Sequence, residues 1–138
     1  MADTIRFELV SPERLLMSED VRQVDVPGAE GDFGVMPQHA PMISTLRAGI
    51  MMVRDADGKE REVFVRGGFA EVRPDLLTVL AEQAIPVEEI DEAVLAQEIT
   101  NAEEDVADAK DDETRQKADY HLARLKEVFA ALKAAGHS

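Results

Sequence analysis

The chain has 138 residues, 45% apolar and 32% charged, which suits one ordinary domain or a small domain with an appendage, globular rather than disordered. A net charge of −14 opposes unassisted binding to nucleic acid or to anionic lipid. The lack of cysteine excludes disulfides, thiolate metal sites and thiol nucleophiles, and no apolar run approaches the ~20 residues of a membrane-spanning helix.

Ile5, Phe7 and Leu9 alternate with Arg6, Glu8 and Val10, the period-2 pattern of a strand with one buried face. Ser11-Pro12-Glu13 breaks it, and Val21, Val24 and Val26 form a second β-branched run. That run feeds a bent segment, Val26 to Pro41, punctuated by Pro27, Gly28, Gly31, Gly34, Pro37 and Pro41. Glycine admits positive φ and close backbone approach, whereas proline fixes φ and removes a donor, so this is a loop held in one shape. Such loops present side chains, here Glu30, Asp32, Gln38 and His39. Met42-Ile43-Ser44-Thr45-Leu46 follows, then a Gly49 break and the apolar run Ile50 to Val53. Asp55-Ala56-Asp57-Gly58 is a hairpin turn, and Glu62 to Arg66 is the returning strand, with Val63 and Val65 on one face and Phe64 on the other. Gly67-Gly68 interrupts, Phe69 to Val72 resumes, Pro74-Asp75 turns and Leu76 to Leu80 closes. Seven or more short strands with regular turn signals predict a sandwich or barrel.

The period changes near Pro86. Leu95, Ile99, Ala102, Val106 and Ala109 fall at steps of 4, 3, 4 and 3, and Ala118, Leu122, Leu125, Phe129 and Leu132 repeat them. Both are narrow helical stripes, with Asp91 placed to cap the first, Asp111-Asp112 at the turn and Gly136 at the end. The spacing predicts an antiparallel hairpin of two ~20-residue helices, each about 30 Å long. Residues 87–113 carry 12 acidic and 1 basic side chains, and residues 114–138 carry 2 and 5, so the helices attract each other. Exposed pairs contribute only ~0.2–1 kcal/mol each and the seams are rich in alanine, so the hairpin is expected to be marginal alone, a plausible moving part. The fold class is therefore α+β, an all-β domain over 1–86 followed by a two-helix hairpin over 87–138.

The loop offers no route to chemistry. A phosphate cradle wants Lys-Ser/Thr after its glycines, and the G-x-x-G-x-x-G of Gly28, Gly31 and Gly34 is not the dinucleotide spacing. An acid/base role for His39 wants an oriented nucleophile or carboxylate; Asp32 is near in sequence, but no G-x-S-x-G serine is present. His121 and His137 stand apart from other ligands, and the acidic run Glu103-Glu104-Asp105 with Asp108 lacks calcium-loop spacing, so no metal or other cofactor is expected.

The segments Val26-Pro27-Gly28, Gly34-Val35-Met36-Pro37-Gln38-His39-Ala40-Pro41 and Arg66-Gly67-Gly68-Phe69-Ala70-Glu71-Val72 resemble, in order and spacing, the epsilon subunit of F-type ATP synthases. The likeness extends through Leu77-Thr78-Val79-Leu80-Ala81 and the hairpin after Ile90-Asp91-Glu92-Ala93. It implies a flattened β-sandwich followed by a two-helix domain, in a non-catalytic rotor subunit that clamps gamma and sits on the polar loops of the proton-driven c-ring. It places Glu30, Gly31 and Asp32 on the ring-facing loop, and Gln38 and His39 against gamma. It also implies a hairpin able to fold down or to extend towards the alpha and beta catalytic subunits and inhibit ATP hydrolysis, for which Arg115, Lys117, Arg124, Lys126 and Lys133 are available.

Some members of that family bind ATP through an Ile/Leu-Asp-x-x-Arg-Ala motif plus second-helix arginines. Here Val94 replaces the motif arginine and Val128 stands where another belongs, which leaves Asp91 and Arg124 as the residual nucleotide contact. Losing guanidinium groups removes bidentate phosphate contacts, so ATP binding is expected to be weak or absent. The start, Met-Ala-Asp-Thr-Ile-Arg-Phe, has neither a secretory signal nor a transit-peptide pattern, which favours a bacterium or an organelle-encoded copy; with the resemblance, it implies the cytoplasmic face of a bacterial inner membrane, peripheral and without membrane insertion. Two other classes stay open on the residues alone: a free β-sandwich binding module with a helical dimerisation hairpin, and a regulator that senses ATP.

Overall fold

The computed structural model describes residues 3–136. They form two compact units divided between Glu88 and Glu89. The first contains strands β1 (Ile5–Val10), β2 (Leu15–Val26), β3 (Phe33–Val35), β4 (Met42–Thr45), β5 (Gly49–Asp55), β6 (Glu60–Arg66), β7 (Phe69–Val72), β8 (Leu76–Leu80) and β9 (Gln83–Pro86), then a 3-10 turn, Val87–Glu89. Hydrogen bonding orders them β4-β7-β8-β1-β2-β5-β6-β9, with β3 attached to β2.

One strand explains how a single ladder becomes a sandwich. The first half of β2 pairs with β1, from Val10 opposite Leu15 to Ile5 opposite Val21. Its second half leaves β1 and pairs with β5 and β3, with Val24 opposite both Val53 and Val35. A register shift between Val21 and Gln23 marks the change, as a bulge does where a strand must bend. The layers then face each other across a shared core of Ile5, Phe7, Leu9, Val24, Val26, Val53, Leu77 and Val79, all essentially inaccessible. Burying such a side chain contributes about 1.5–3 kcal/mol, so this core, not strand propensity, holds the layers together.

Three features depart from the expected pattern. Strand β2 starts at Leu15, well before the valine run, because β1 supplies a partner for a stretch that does not alternate. The segment Val26–Pro41 is not all loop, since Phe33–Val35 forms β3 in its middle. Gln83–Pro86 forms β9 by pairing with β6, and β6 is buried on both faces: Val63 and Val65 join the core, and Phe64, between Ile50 and Ile85, is buried as well.

The second unit is a helical hairpin, α1 (Glu92–Asp108) packed against α2 (Asp112–Ala134). Asp91 caps α1, its carboxylate accepting from the amides of Ala93 (2.9 Å) and Val94 (3.2 Å). Asp111 caps α2 by accepting from Thr114 N at 2.7 Å, and hydrogen bonds from the Thr114 amide and hydroxyl hold its carboxyl below the usual carboxylate value. Arg115 donates from α2 to the Ala109 carbonyl at the end of α1, tying the turn from both sides. The stripe on α1 is as expected, with Leu95 and Ala102 buried. On α2 Leu132 is buried as expected, but Val128 and Ala131 are buried beside it, and Phe129 is 39% exposed with Lys133 Nζ 5.2 Å from its ring centroid. After Leu125, positions i+3 and i+4 flank the same seam, so spacing alone does not choose between Val128 and Phe129. Salt bridges Arg115–Asp112 and Lys117–Glu113 lie within α2 rather than across the hairpin.

Candidate functional site

The presented segment has two parts, at opposite ends of β3. The first is a tip, residues 28–32. It closes on itself through Gly31 N to Gly28 O (3.2 Å), and a Cβ at Gly28 would overlap the Gly31 carbonyl oxygen, so only glycine fits there. The tip is fastened to the crossing before β5: Ala29 N donates to Thr45 O (2.9 Å), Arg47 N to Pro27 O (3.0 Å), and Gly28 bridges Leu46. Glu30 and Gly31 are exposed at its end.

Asp32 is also exposed, but it is engaged. Arg47 reaches it from fifteen residues away, Nη2 lying 2.7 Å from both carboxylate oxygens and Nε 3.1 Å from Oδ1. The same guanidinium donates to the Ala48 carbonyl at 3.1 Å. Bidentate guanidinium–carboxylate pairs fix orientation as well as charge. The tip therefore shows one compensated carboxylate and one exposed carboxylate, Glu30. No local sequence pattern marks Arg47, because its partner is brought to it by the fold.

The second part is a turn. His39 N donates to Met36 O (3.3 Å), placing Pro37 and Gln38 at the corners. Gln38 has φ +70°, the left-handed value expected after a corner proline in a type II turn, where glycine is the usual residue. Its amide donates to Pro74 O at 2.8 Å, which holds the turn against the β7–β8 connection. His39 is half-buried, with Nδ1 2.7 Å from the Ala40 carbonyl. A carbonyl only accepts, so Nδ1 carries the proton. This bond orients the ring but does not poise it as a base.

The turn leads straight into edge strand β4, where apolar side chains face outward. Ile43 is 69% exposed and Met36 is 56% exposed, beside Met42, and a shallow groove of about 480 Å³ runs between Pro41–Ile43 and Glu71–Arg73. A second apolar row crosses the outer face, Phe69 opposite Leu80, Leu80 opposite Val10 and Val10 opposite Leu15, with Val10 half-buried and the other three exposed. The alternation rules assign these residues to strands but do not say that they are exposed together.

The nucleotide candidates lie in the helical unit. The Asp91 carboxylate is occupied in capping α1. Arg124 lies over the Tyr120 ring at 4.5 Å, hydrogen-bonds its hydroxyl and pairs with Glu127. Val94 is 52% exposed. His121 is exposed on α2, and His137 lies outside the described residues. Among the described residues no group of three or more His, Cys, Asp or Glu side chains is arranged to hold a metal. Nor is any helix there long and apolar enough to cross a membrane.

Residues 4–87 match the family model of the ATP synthase delta/epsilon chain β-sandwich domain. The ATP synthase epsilon chain of Parvibaculum lavamentivorans is 52% identical over 128 residues, 93% of this chain and 97% of that one. The epsilon chain of Maricaulis maris is 52% identical over 130 residues, 94% of this chain and 97% of that one. Among solved structures, a chain of the Euglena gracilis mitochondrial ATP synthase (OSCP/F1/c-ring, rotational state 1) superposes with a TM-score of 0.76 at 27% identity, covering 99% of this chain and 84% of that one. The sandwich, the hairpin and these relatives agree: the chain belongs to the ATP synthase epsilon chain family.

Proposed function

We propose that this chain is a non-catalytic central-stalk subunit of a proton-translocating F-type ATP synthase, coupling the gamma subunit to the c-ring. The observation that carries this is the likeness to epsilon chains across nearly the whole length, hairpin included, at about half identity. The surface fits the role. Its exposed apolar residues Met36, Met42 and Ile43 lie beside Gln38 and His39, and suit packing against gamma. The polar tip of Glu30, Gly31 and Asp32 suits the polar loops of a ring. Asp32 and His39, the two groups best placed for chemistry, are engaged with Arg47 and a backbone carbonyl. The subunit would lie on the cytoplasmic face of the bacterial inner membrane, peripheral to it.

Inverted membrane vesicles from a strain lacking this chain test the role. Adding the chain back is expected to restore proton-driven ATP synthesis; vesicles that synthesise ATP equally well without it would overturn the assignment. The hairpin, residues 87–138, is proposed as a separable brake on ATP hydrolysis, reaching the alpha and beta subunits through the basic residues of α2. Its removal is expected to raise hydrolysis by the assembled complex, and unchanged hydrolysis would refute the brake.

A further inference from the structure

We infer that Arg47 is a positioning residue for the docking tip, acting through Asp32, so that the partner surface meets a fixed neutral pair beside Glu30 rather than two loose carboxylates. This role rests on the docking function proposed above. Three observations converge on it. The pairing is bidentate, Nε donating to Oδ1 at 3.1 Å and Nη2 to Oδ2 at 2.7 Å, which sets the direction of the carboxylate as well as offsetting its charge. The guanidinium also has a built seat: a Cβ at Gly49 would lie 2.7 Å from Arg47 Nη1 and 2.9 Å from Pro27 Cβ, so glycine at the start of β5 is what leaves room for it. Finally, the arginine donates at both ends of its own residue, its side chain to Ala48 O and its amide to Pro27 O. One residue thus joins the base of the tip, the far side of the tip and the crossing into β5.

The consequence is a division of labour within the tip. Gly31 has φ +143°, and a Cβ there would meet nothing within 4 Å, so no packing on its side-chain side steadies the step from Gly31 to Asp32. Arg47 holds it instead. Asp32 then matters for where the tip points, and Glu30 for what the partner reads.

The experiment uses the full chain and the assembled synthase. In the full chain, Arg47→Ala is expected to speed amide exchange at Ala29, Gly31 and Asp32 by about two- to fivefold, the range open to an exposed ion pair, with the core amides of β8 unchanged. Arg47→Lys, which keeps the charge but loses the fork, is expected to fall between. In the assembled synthase, Arg47→Ala and Asp32→Arg are each expected to lower proton-driven ATP synthesis. The charge swap, Asp32→Arg with Arg47→Asp, is expected to recover both slow exchange and synthesis. Recovery of slow exchange without recovery of synthesis overturns the inference, because Asp32 would then be read by the partner itself. Unchanged exchange in Arg47→Ala overturns it as well. If exchange responds as expected but neither Arg47→Ala nor Glu30→Lys alters synthesis, the clasp stands and the docking function fails.

Discussion

Replacing Gly68 with alanine should damage the sandwich far more than the same change next door at Gly67. Both glycines have left-handed backbones, φ +70° at Gly67 and +87° at Gly68. An alanine at either carries the left-handed penalty of ~1–2 kcal/mol. Their surroundings differ. The nearest atoms to a Cβ on Gly67 are those of the Glu82 side chain, which can swing away. A Cβ on Gly68 drives into the Leu80 carbonyl oxygen, with the Leu80 carbonyl carbon at 2.8 Å and Ala81 Cα at 3.0 Å. These are backbone atoms at the end of β8, so the strand itself must shift, which adds ~1–3 kcal/mol. The total for Gly68→Ala is roughly 2–5 kcal/mol, a large share of the ~5–15 kcal/mol that stabilises a domain. The crossing also supports the tip of residues 28–32, since Leu46 N donates to Gly68 O (3.0 Å) and Leu46 bridges Gly28. The chain has no tryptophan and its one tyrosine, Tyr120, lies in α2, so the sandwich needs its own probe. The slowest-exchanging amides of β8 report its opening free energy. Equal losses in the two variants would refute the steric reasoning, because the left-handed penalty alone would then suffice.

Other outcomes follow from single contacts. The lowered carboxyl of Asp111 stabilises the hairpin above its ordinary value of 3.8, and that contribution is lost as pH falls through the lower folded value. Asp111→Ala should therefore reduce α2 helicity at neutral pH, with the deficit vanishing in strong acid; a deficit that persists there would point away from the cap. At the left-handed Gln38, glycine should be tolerated and valine should cost ~1–2 kcal/mol in urea unfolding, the order reversing only if the turn is not of type II. Calorimetry should show no saturable ATP binding in the low millimolar range or tighter, given Val94 and Val128 in the arginine positions and Asp91 occupied as a cap; a saturable isotherm would reverse this.

Much of the architecture was legible where local chemistry and tertiary burial agree. Ile5, Phe7 and Leu9 alternate because one face of β1 meets the core, and Asp55 to Gly58 turns because Gly58 supplies φ +86° while the Asp55 carboxylate accepts from the amides of Asp57 and Lys59. Asp91 was readable as a cap for the same reason. What escaped was set by partners distant in sequence. Leu15 to Asp20 has no alternation and is a strand because β1 lies beside it. Gln83 to Pro86 is short, ends in proline and pairs only because β6 needs an edge. At the site, the glycines and prolines revealed a held loop, and Glu30, Asp32, Gln38 and His39 were visible as its polar groups. Arg47 was not, since nothing local links it to an aspartate fifteen positions earlier. Nor did the spacing on α2 separate Val128 from Phe129.

The most direct test of a rotor role is what the chain holds in the membrane. A tagged copy of the full chain, expressed in its own cell and recovered from gently solubilised membranes, should bring down gamma and the c-ring together, and Glu30→Lys should weaken retention of the ring more than that of gamma. Recovery of the chain alone, or as a self-associated pair, would contradict a central-stalk subunit and favour a free-standing binding module.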